Sequence, residues 1–301
     1  MSLAAWFRII RVKFLLSSVI AVSLGLTISY FQRQELDVFH TAITMGGVIA
    51  LHASVDLLND FWDYRRGIDT LTSRTKFSGG TGVLPEGLLR PSHVYWAGMI
   101  FLVLGSAAGA YFVLLYGWVI AAILGFAILS IYFYSTRIVD SGLGEIFVGI
   151  KGTMIVLGTA YIQTQSIVSQ NIAAGIIVGT LSAFVLYITS FPDHDADKEK
   201  GRRTLVVVLG KKKAANLFWV FPSIAYLIIL GGSVSGLFSI FCLVAFATAP
   251  VVVRTGLRLK QSLDDIDRFT QIMKETVLFS RVTGALFIVG FLIQIIAFLN
   301  D

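Results

Sequence analysis

Nine apolar stretches, each long enough to cross the hydrocarbon of a bilayer, run through this chain at about 14–31, 38–60, 93–114, 117–136, 145–165, 170–190, 214–231, 234–253 and 279–299. A spanning helix needs about 20 such residues. The period-two alternation of a membrane β-barrel is absent. Backbone N–H and C=O groups in lipid must be satisfied within their own segment, so the stretches are predicted to be helices. The expected fold class is all-α: a polytopic membrane protein with nine transmembrane helices in one domain, 1–301. The charge content agrees. Charged residues make up 14% of the chain, against about 25% in a soluble domain, which is too little polar surface to cover a globule of this size. A single cysteine, Cys242, excludes a disulfide scaffold.

Sorting the cations gives a topology. Twenty-two of the 24 Lys and Arg residues fall in the leader or at alternate helix ends, leaving Arg33 on the other side and Lys151 inside the fifth helix. The positive-inside rule then puts the N-terminus in the cytoplasm and the C-terminus outside. Residues 1–13 carry Trp6, Phe7, Ile9 and Ile10 beside three cations. No small-x-small cleavage pattern follows, so an interfacial helix is expected there rather than a signal peptide. External loops are short. Cytoplasmic loops are long at 61–92, 191–213 and 254–278. Long loops in compact domains tend to be functional, so the chemistry is expected at the cytoplasmic end.

Two acidic constellations lie at that end. The second helix closes on Asp56, Asn59, Asp60 and Asp63, with Asp69 following. At 100° per residue, Asp56, Asp60 and Asp63 fall within about 60° of one another. Such carboxylates repel unless a cation sits between them. Oxygen donors without Cys or His partners favour Mg²⁺ over zinc. A polar helix end salt-bridged to Arg65 and Arg66 is the plainer reading. The sixth helix closes on Asp193 and Asp197, four apart and on one face if helical, with Asp195 pointing elsewhere. Taken alone, that segment reads as a solvated charge run. Together the two clusters can hold metal ions and a diphosphate between them. Their separation by four helices predicts two four-helix halves plus a ninth helix around a central cavity.

Cations and aromatics complete the candidate set. Arg74 and Lys76 precede Gly79-Gly80, and backbone amides at such glycines can approach phosphate oxygens. No Gly-Lys-Ser/Thr follows, so this is not a P-loop. Tyr132, Tyr134 and Arg137 end the fourth helix. Lys151, two turns into the fifth, needs an anionic partner such as a substrate phosphate or a carboxylate of another helix, unless it snorkels to the interface. His40, His52, His93 and His194 show no metal spacing and are left out of the site. No nucleic-acid-binding module is recognisable.

Asn59-Asp60-x-x-Asp63 with Asp69, and Asp193-x-x-x-Asp197, resemble the paired aspartate motifs of the UbiA superfamily of intramembrane prenyltransferases, over nearly the whole chain. Phe77-Ser78-Gly79-Gly80-Thr81-Gly82, Gly142-Leu143-Gly144-Glu145 and Gly201-Arg202-Arg203-Thr204-Leu205 resemble its MenA-like branch, which prenylates dihydroxynaphthoate for menaquinone. The resemblance implies Mg²⁺-dependent transfer of a polyprenyl group from an allylic polyprenyl diphosphate to an aromatic acceptor. Asp60, Asp63, Asp193 and Asp197 would be the metal and catalytic residues, with Asp56, Asp69 and Tyr132 as possible additions. Asn59, Arg74, Lys76, Tyr134, Arg137 and Lys151 would bind the diphosphate. Where relatives often have Tyr-x-x-x-Lys, this chain has Thr136 and then Arg137. Phe14 and Trp62 are candidate lining residues. Other acceptors remain open: hydroxybenzoate, homogentisate, haem, chlorophyllide or a glycerol lipid. A transporter would place its acidic residues near the bilayer midplane. The Asp-Gly-x-x-Ala-Arg signature of CDP-alcohol phosphatidyltransferases is absent.

Overall fold

A computed structural model describes residues 2–72 and 74–300. A short helix, α1 (Leu3–Ile9), precedes the first span, α2 (Val12–Arg33). Then follow α3 (Val38–Arg65), α4 (Pro91–Tyr116), α5 (Trp118–Ser141), α6 (Gly144–Thr164) and α7 (Ser169–Thr189). Two short helices, α8 (His194–Glu199) and α9 (Leu205–Leu209), lead into α10 (Lys211–Val234), α11 (Ile240–Ser262) and α12 (Ile266–Asn300). Among the described residues there is no strand, and nine helices are long and apolar enough to span a membrane.

Each span packs on the next in sequence, and α12 returns to α2, so the nine close into a ring. Inside the ring α2 also packs on α6 and α7, and α7 on α12. The acidic helices α3 and α7 are the second of their groups of four, as the motif spacing predicts. The outer faces are apolar: Leu114 is 87% exposed and Trp118 80%. Surface of that kind is stable only against lipid. The inner faces carry a continuous aromatic core in which Phe184 of α7 meets Phe218, Phe221 and Phe279.

Small residues set the closest helix crossings. In lipid there is little hydrophobic drive between helices, so association depends on close backbone packing. At the α6–α7 crossing, a Cβ on Gly179 would lie 2.2 Å from the Gly149 carbonyl oxygen. At α11–α12, one on Gly290 would lie 2.4 Å from the Cys242 Cα.

Three local features aim the site. Arg11 adopts φ 51°, a left-handed corner that turns the chain from α1 into α2. Ala5 and Ile9 then bury against Leu57 and Val83, while Leu3 and Phe7 stay exposed, as an interfacial helix requires. The last turns of α5 loosen into a π turn over Tyr134–Ile138 and a 3₁₀ turn over Val139–Ser141. Widened turns of this kind recur at functional sites. The expected cytoplasmic loop 254–278 is instead almost wholly helical, because α11 and α12 project beyond their apolar segments. Their extensions are held together by Glu275, which accepts from Arg258 Nη2 at 2.6 Å and Thr255 Oγ1 at 2.7 Å.

The glycine contacts predict that Gly179→Ala lowers the thermal unfolding midpoint of detergent-purified protein by several degrees, from overpacking of about 1–3 kcal/mol. Gly125→Ala, where an added Cβ meets nothing within 4 Å, is expected to leave it unchanged. Equal midpoints for the two variants would contradict the packing argument.

Candidate active site

Helix α3 continues to Arg65, so its last three turns present Asp56, Asn59, Asp60 and Asp63 in succession. Asp60 is 1% exposed. It takes the Arg11 guanidinium at 2.5 Å on one oxygen and both the hydroxyl and the backbone N–H of Thr81 on the other. Asp63 accepts from Arg202 on one oxygen and from Asn59 Nδ2 at 3.1 Å on the other. Asn59 also donates to Ser135 Oγ at 2.9 Å, which ties α3 to the π turn of α5. Arg66 fastens the same turn through the Ser135 carbonyl at 2.7 Å and Asp140 at 3.0 Å.

The second motif folds as one helical turn. The Asp197 N–H donates to the Asp193 carbonyl at 2.8 Å, so both side chains share a face, as the spacing predicts. Asp193 accepts from Thr72 Oγ1 and, at 3.2 Å, from the Gly79 N–H. Asp197 lies 3.5 Å from Arg202 Nη1. Arg202 therefore bridges the two motifs. Asp195 points away and pairs with His194 and Lys211.

The glycine loop wraps these groups. Gly80 and Gly82 have φ of 68° and 75°. A Cβ on Gly80 would meet the Asp69 carboxylate at 2.4 Å, and one on Gly82 would overlap the Arg74 guanidinium. Only glycine fits there on both counts. Arg74 donates to Glu86 at 2.5 Å, and Glu86 also takes Arg8 of α1, which pins the leader over the loop.

Desolvation dominates the titration of this site. Burial, helped by the charges of Asp63 and Asp60, pushes the Asp69 carboxyl up to about 8. Burial pushes the Asp197 carboxyl up to about 7 against the pull of Arg202. Asp193 is raised by burial despite its hydrogen bonds from Thr72 and Gly79. Burial opposes the Arg202 charge, but Asp63 and Asp197 outweigh it, so its pKa is raised.

Two cavities meet here. A polar mouth of about 660 Å³ is lined by Asp63, Asp69, Asp193, Asp197, Arg202, Arg74 and Lys76. A more apolar central cavity continues inward between α2, α3, α6 and α7 and shares Arg11, Phe14, Asn59, Phe77 and Tyr134 with the mouth. Beyond it lies an apolar recess between α3, α4, α5 and α6.

The donor set fits a hard divalent cation. All side-chain donors at the mouth are oxygens, and Asp69 Oδ2 is buried without a hydrogen-bond partner. Among the described residues, no three His, Cys, Asp or Glu side chains converge as a ready-made cage. The physical reason is visible: Arg11 and Arg202 stand among the carboxylates. Mg²⁺ needs only one or two carboxylates if water and phosphate oxygens complete its shell.

Most of the expected residues come together: Asn59, Asp63, Asp69, Arg74, Lys76, Tyr134, Asp193 and Asp197 all line the mouth. Asp60 lies just behind it, covered by Arg11 and Thr81. Others do not join them. Tyr132 is 40% exposed and Arg137 is exposed, and neither lines the mouth or the central cavity, where the chain turns Tyr134 inward instead. Asp56 and Lys151 line the central cavity, not the mouth. Phe14 lines both cavities, whereas Trp62 packs in a separate cluster with Leu58 and Ile131.

Sequence reasoning missed Arg11, Arg202, Thr72 and Thr81. Arg202 lies in the noted Gly-Arg-Arg-Thr-Leu segment, and its place five residues after Asp197 was the available signal. Nothing in the sequence distinguishes Arg11 from an ordinary positive-inside charge.

Comparison with known proteins is concordant. The model of the UbiA prenyltransferase family matches residues 18–296. The 1,4-dihydroxy-2-naphthoate octaprenyltransferase of Bacillus subtilis (strain 168) is 25% identical, over 96% of this chain and 92% of its own length. Among solved structures, a UbiA homologue from Aeropyrum pernix K1 matches with a TM-score of 0.70 at 18% identity, over 92% of this chain and 98% of that one. A UbiA homologue from Archaeoglobus fulgidus bound to DMAPP and Mg²⁺ matches with a TM-score of 0.62 at 15% identity, over 94% and 98%.

The raised carboxylates predict a pH dependence. Asp69 moves from an ordinary 3.8 to about 8 on folding, so the folded chain holds more protons than the unfolded one across that window. Stability is therefore expected to fall as pH rises from about 4 to about 8 without metal. Asp69→Asn should flatten that slope. Mg²⁺ should stabilise more at pH 8 than at pH 6, because it binds the ionised form. Thermal unfolding with EDTA or Mg²⁺ checks this. A midpoint that rises with pH in EDTA, unaffected by Asp69→Asn, would contradict it.

Proposed function

Because the chain belongs to the UbiA prenyltransferase family, we propose that this integral membrane prenyltransferase moves a polyprenyl group from an allylic diphosphate to a dihydroxynaphthoate-type acceptor, as a step of menaquinone formation. The observation that carries the reading is the joining of both aspartate motifs at the mouth of an apolar cavity, with Arg202 between Asp63 and Asp197. The naphthoate octaprenyltransferase that matches 96% of the chain supports the acceptor class.

Asp60, Asp63, Asp193 and Asp197 would hold Mg²⁺, with Asp69 as a further oxygen donor. When bound, the metal supplies Lewis-acid stabilisation of the leaving diphosphate. Asn59 orients Asp63 and reaches the same space. Arg11 and Arg202 are held by carboxylates in the substrate-free protein. Arg74 and Lys76 add charge from the glycine loop. All four can turn to the pyrophosphate as its charge develops, the form of stabilisation that contributes most in dry sites. The allylic C–O bond breaks with its electron pair on pyrophosphate. An aromatic carbon supplies the pair for the new C–C bond, and loss of a proton or of the ring carboxylate restores aromaticity. Water must stay out, since it would capture the cation. The central cavity supplies that dryness, with Phe14, Phe77 and Tyr134 at its threshold. Aromatic faces there favour a cation. The apolar recess between α3 and α6 gives the isoprenoid tail a path away from water.

The topology belongs to the same proposal: an N-terminus and active-site mouth in the cytoplasm, and an external C-terminus.

Asp60→Asn and Asp193→Asn are each expected to cut turnover by about 10²-fold or more, and EDTA should abolish wild-type activity until Mg²⁺ is restored. The assay is purified protein with prenyl diphosphates of several lengths and a panel of aromatic acceptors, the products identified by mass. Near-normal turnover in either variant, or in EDTA, would defeat the shared-metal scheme. In intact cells an N-terminal tag should resist an impermeant label that reaches a C-terminal tag; the reverse pattern would invert the topology.

A further inference from the structure

Three cations line the central cavity, and two are already engaged. Arg11 is paired with Asp60. Arg281 donates to the Lys13 carbonyl at 2.6 Å and lies over the Phe14 ring. Lys151 is the third. It stands where the central cavity meets the apolar recess. Among the described residues its ammonium has no hydrogen bond or ion pair; Asp60 is taken by Arg11, and Asp56 lies 3.8 Å from His52 with its Oδ2 accepting no hydrogen bond. A cation inside a membrane bundle is costly without an anion. Snorkelling does not relieve it, because the side chain lines interior space.

The rest of this cavity is equally under-satisfied. Asp56 Oδ2, Ser130 Oγ and Ser280 Oγ are buried there without partners. Buried polar groups are normally hydrogen-bonded, so several unpaired ones around one cavity mark the outline of a ligand. His52 is already oriented: its Nδ1 hydrogen-bonds with Ser18 Oγ at 2.7 Å, and its Nε2 lies 3.8 Å from Asp56. Between these groups the walls are apolar, from Ala21, Ile155, Val178 and Leu181. The complementary ligand has a flat apolar body, one anionic group and at least one hydroxyl. A diphosphate is the wrong anion. Its cations, Arg202, Arg74 and Lys76, line the mouth, and Lys151 does not.

We infer that Lys151 binds the ring carboxylate of the aromatic acceptor and that the His52–Asp56 pair receives a ring hydroxyl. The ring is thereby held with its reacting edge toward Asn59 and Tyr134, where the two cavities join. This rests on the prenyl-transfer reading above and deepens it: the acceptor is chosen for its carboxylate, and Lys151 is the specificity-determining residue. The carboxylate also neutralises the ammonium at the entrance to the apolar recess, so a bound acceptor removes a charge from beside the isoprenoid tail.

The test compares wild type, Lys151→Met and Lys151→Arg. Equilibrium binding of 1,4-dihydroxy-2-naphthoate and of its decarboxylated counterpart, 1,4-dihydroxynaphthalene, is measured without donor or metal, followed by steady-state kinetics with both. Wild type should favour the carboxylated ring by at least about tenfold, the scale of a charge-assisted hydrogen bond. Lys151→Met should erase that preference through KM for the acceptor, leave KM for the prenyl diphosphate within about twofold, and be partly rescued by Lys151→Arg. His52→Gln should weaken both rings alike. A preference that survives in Lys151→Met, or a rise confined to the KM of the diphosphate, overturns the assignment while leaving prenyl transfer intact. A wild type that prenylates neither ring overturns the reading beneath it.

Discussion

Carboxylates buried at the end of a lipid-embedded bundle need compensating charge, and here a single guanidinium bridges two motifs far apart in the chain. Arg202 donates to Asp63 of α3 and faces Asp197 of the segment after α7. Removing one member of such a buried set leaves an uncompensated charge, typically at about 3–5 kcal/mol. The Asp193–Arg202 segment is therefore locked against α3, and the glycine loop is locked against both through Thr72, Gly79 and Thr81. Arg11 does the same for Asp60 from the other side, which explains why the chain turns so tightly at φ 51° between the seven-residue α1 and the first span.

These ion pairs connect stability to turnover. On the proposed function, the arginines that hold the substrate-free carboxylates also line the mouth that a diphosphate would enter. Metal and phosphate arriving together would offer each group a new partner, carboxylate oxygens for the metal and phosphate for the guanidinium groups. No buried charge need be left unpaired during the exchange, which is the condition under which charges can move in a low-dielectric site. Glu86, holding Arg8 and Arg74 together at the rim, extends the same exchange to the leader helix.

Separating the mouth from the central cavity divides the chemistry by polarity. On the proposed function, the charged half of the donor would be handled at the polar mouth and carbon–carbon bond formation would lie deeper, where the walls are apolar. Tyr134 and Asn59 stand on the boundary. The π turn of α5 is what puts Tyr134 there, with Ser135 buried beside it and Arg137 turned outward. The same boundary separates Lys151 and Asp56 from the carboxylates of the mouth, though all were candidates for one site.

The number of membrane-spanning helices and the placing of the acidic residues at helix ends were legible in the sequence, because bilayer thickness imposes a length on every apolar run and leaves charge only at the ends. The shared face of Asp193 and Asp197 followed from helical spacing alone. The helical extension through 254–278 was not legible, since an amphipathic helix outside the bilayer has the composition of a loop. Nor were the partners of the carboxylates: Arg11 is 49 residues from Asp60 and Arg202 is 139 from Asp63, and one arginine among many positive-inside charges has no local mark of its role. Which side of a wall Lys151, Asp56 and His52 face depends on how α2, α3 and α6 rotate against one another, a matter of interhelical packing at small residues. Sequence fixes the periodicity of a helix; only its neighbours fix the direction in which each face points.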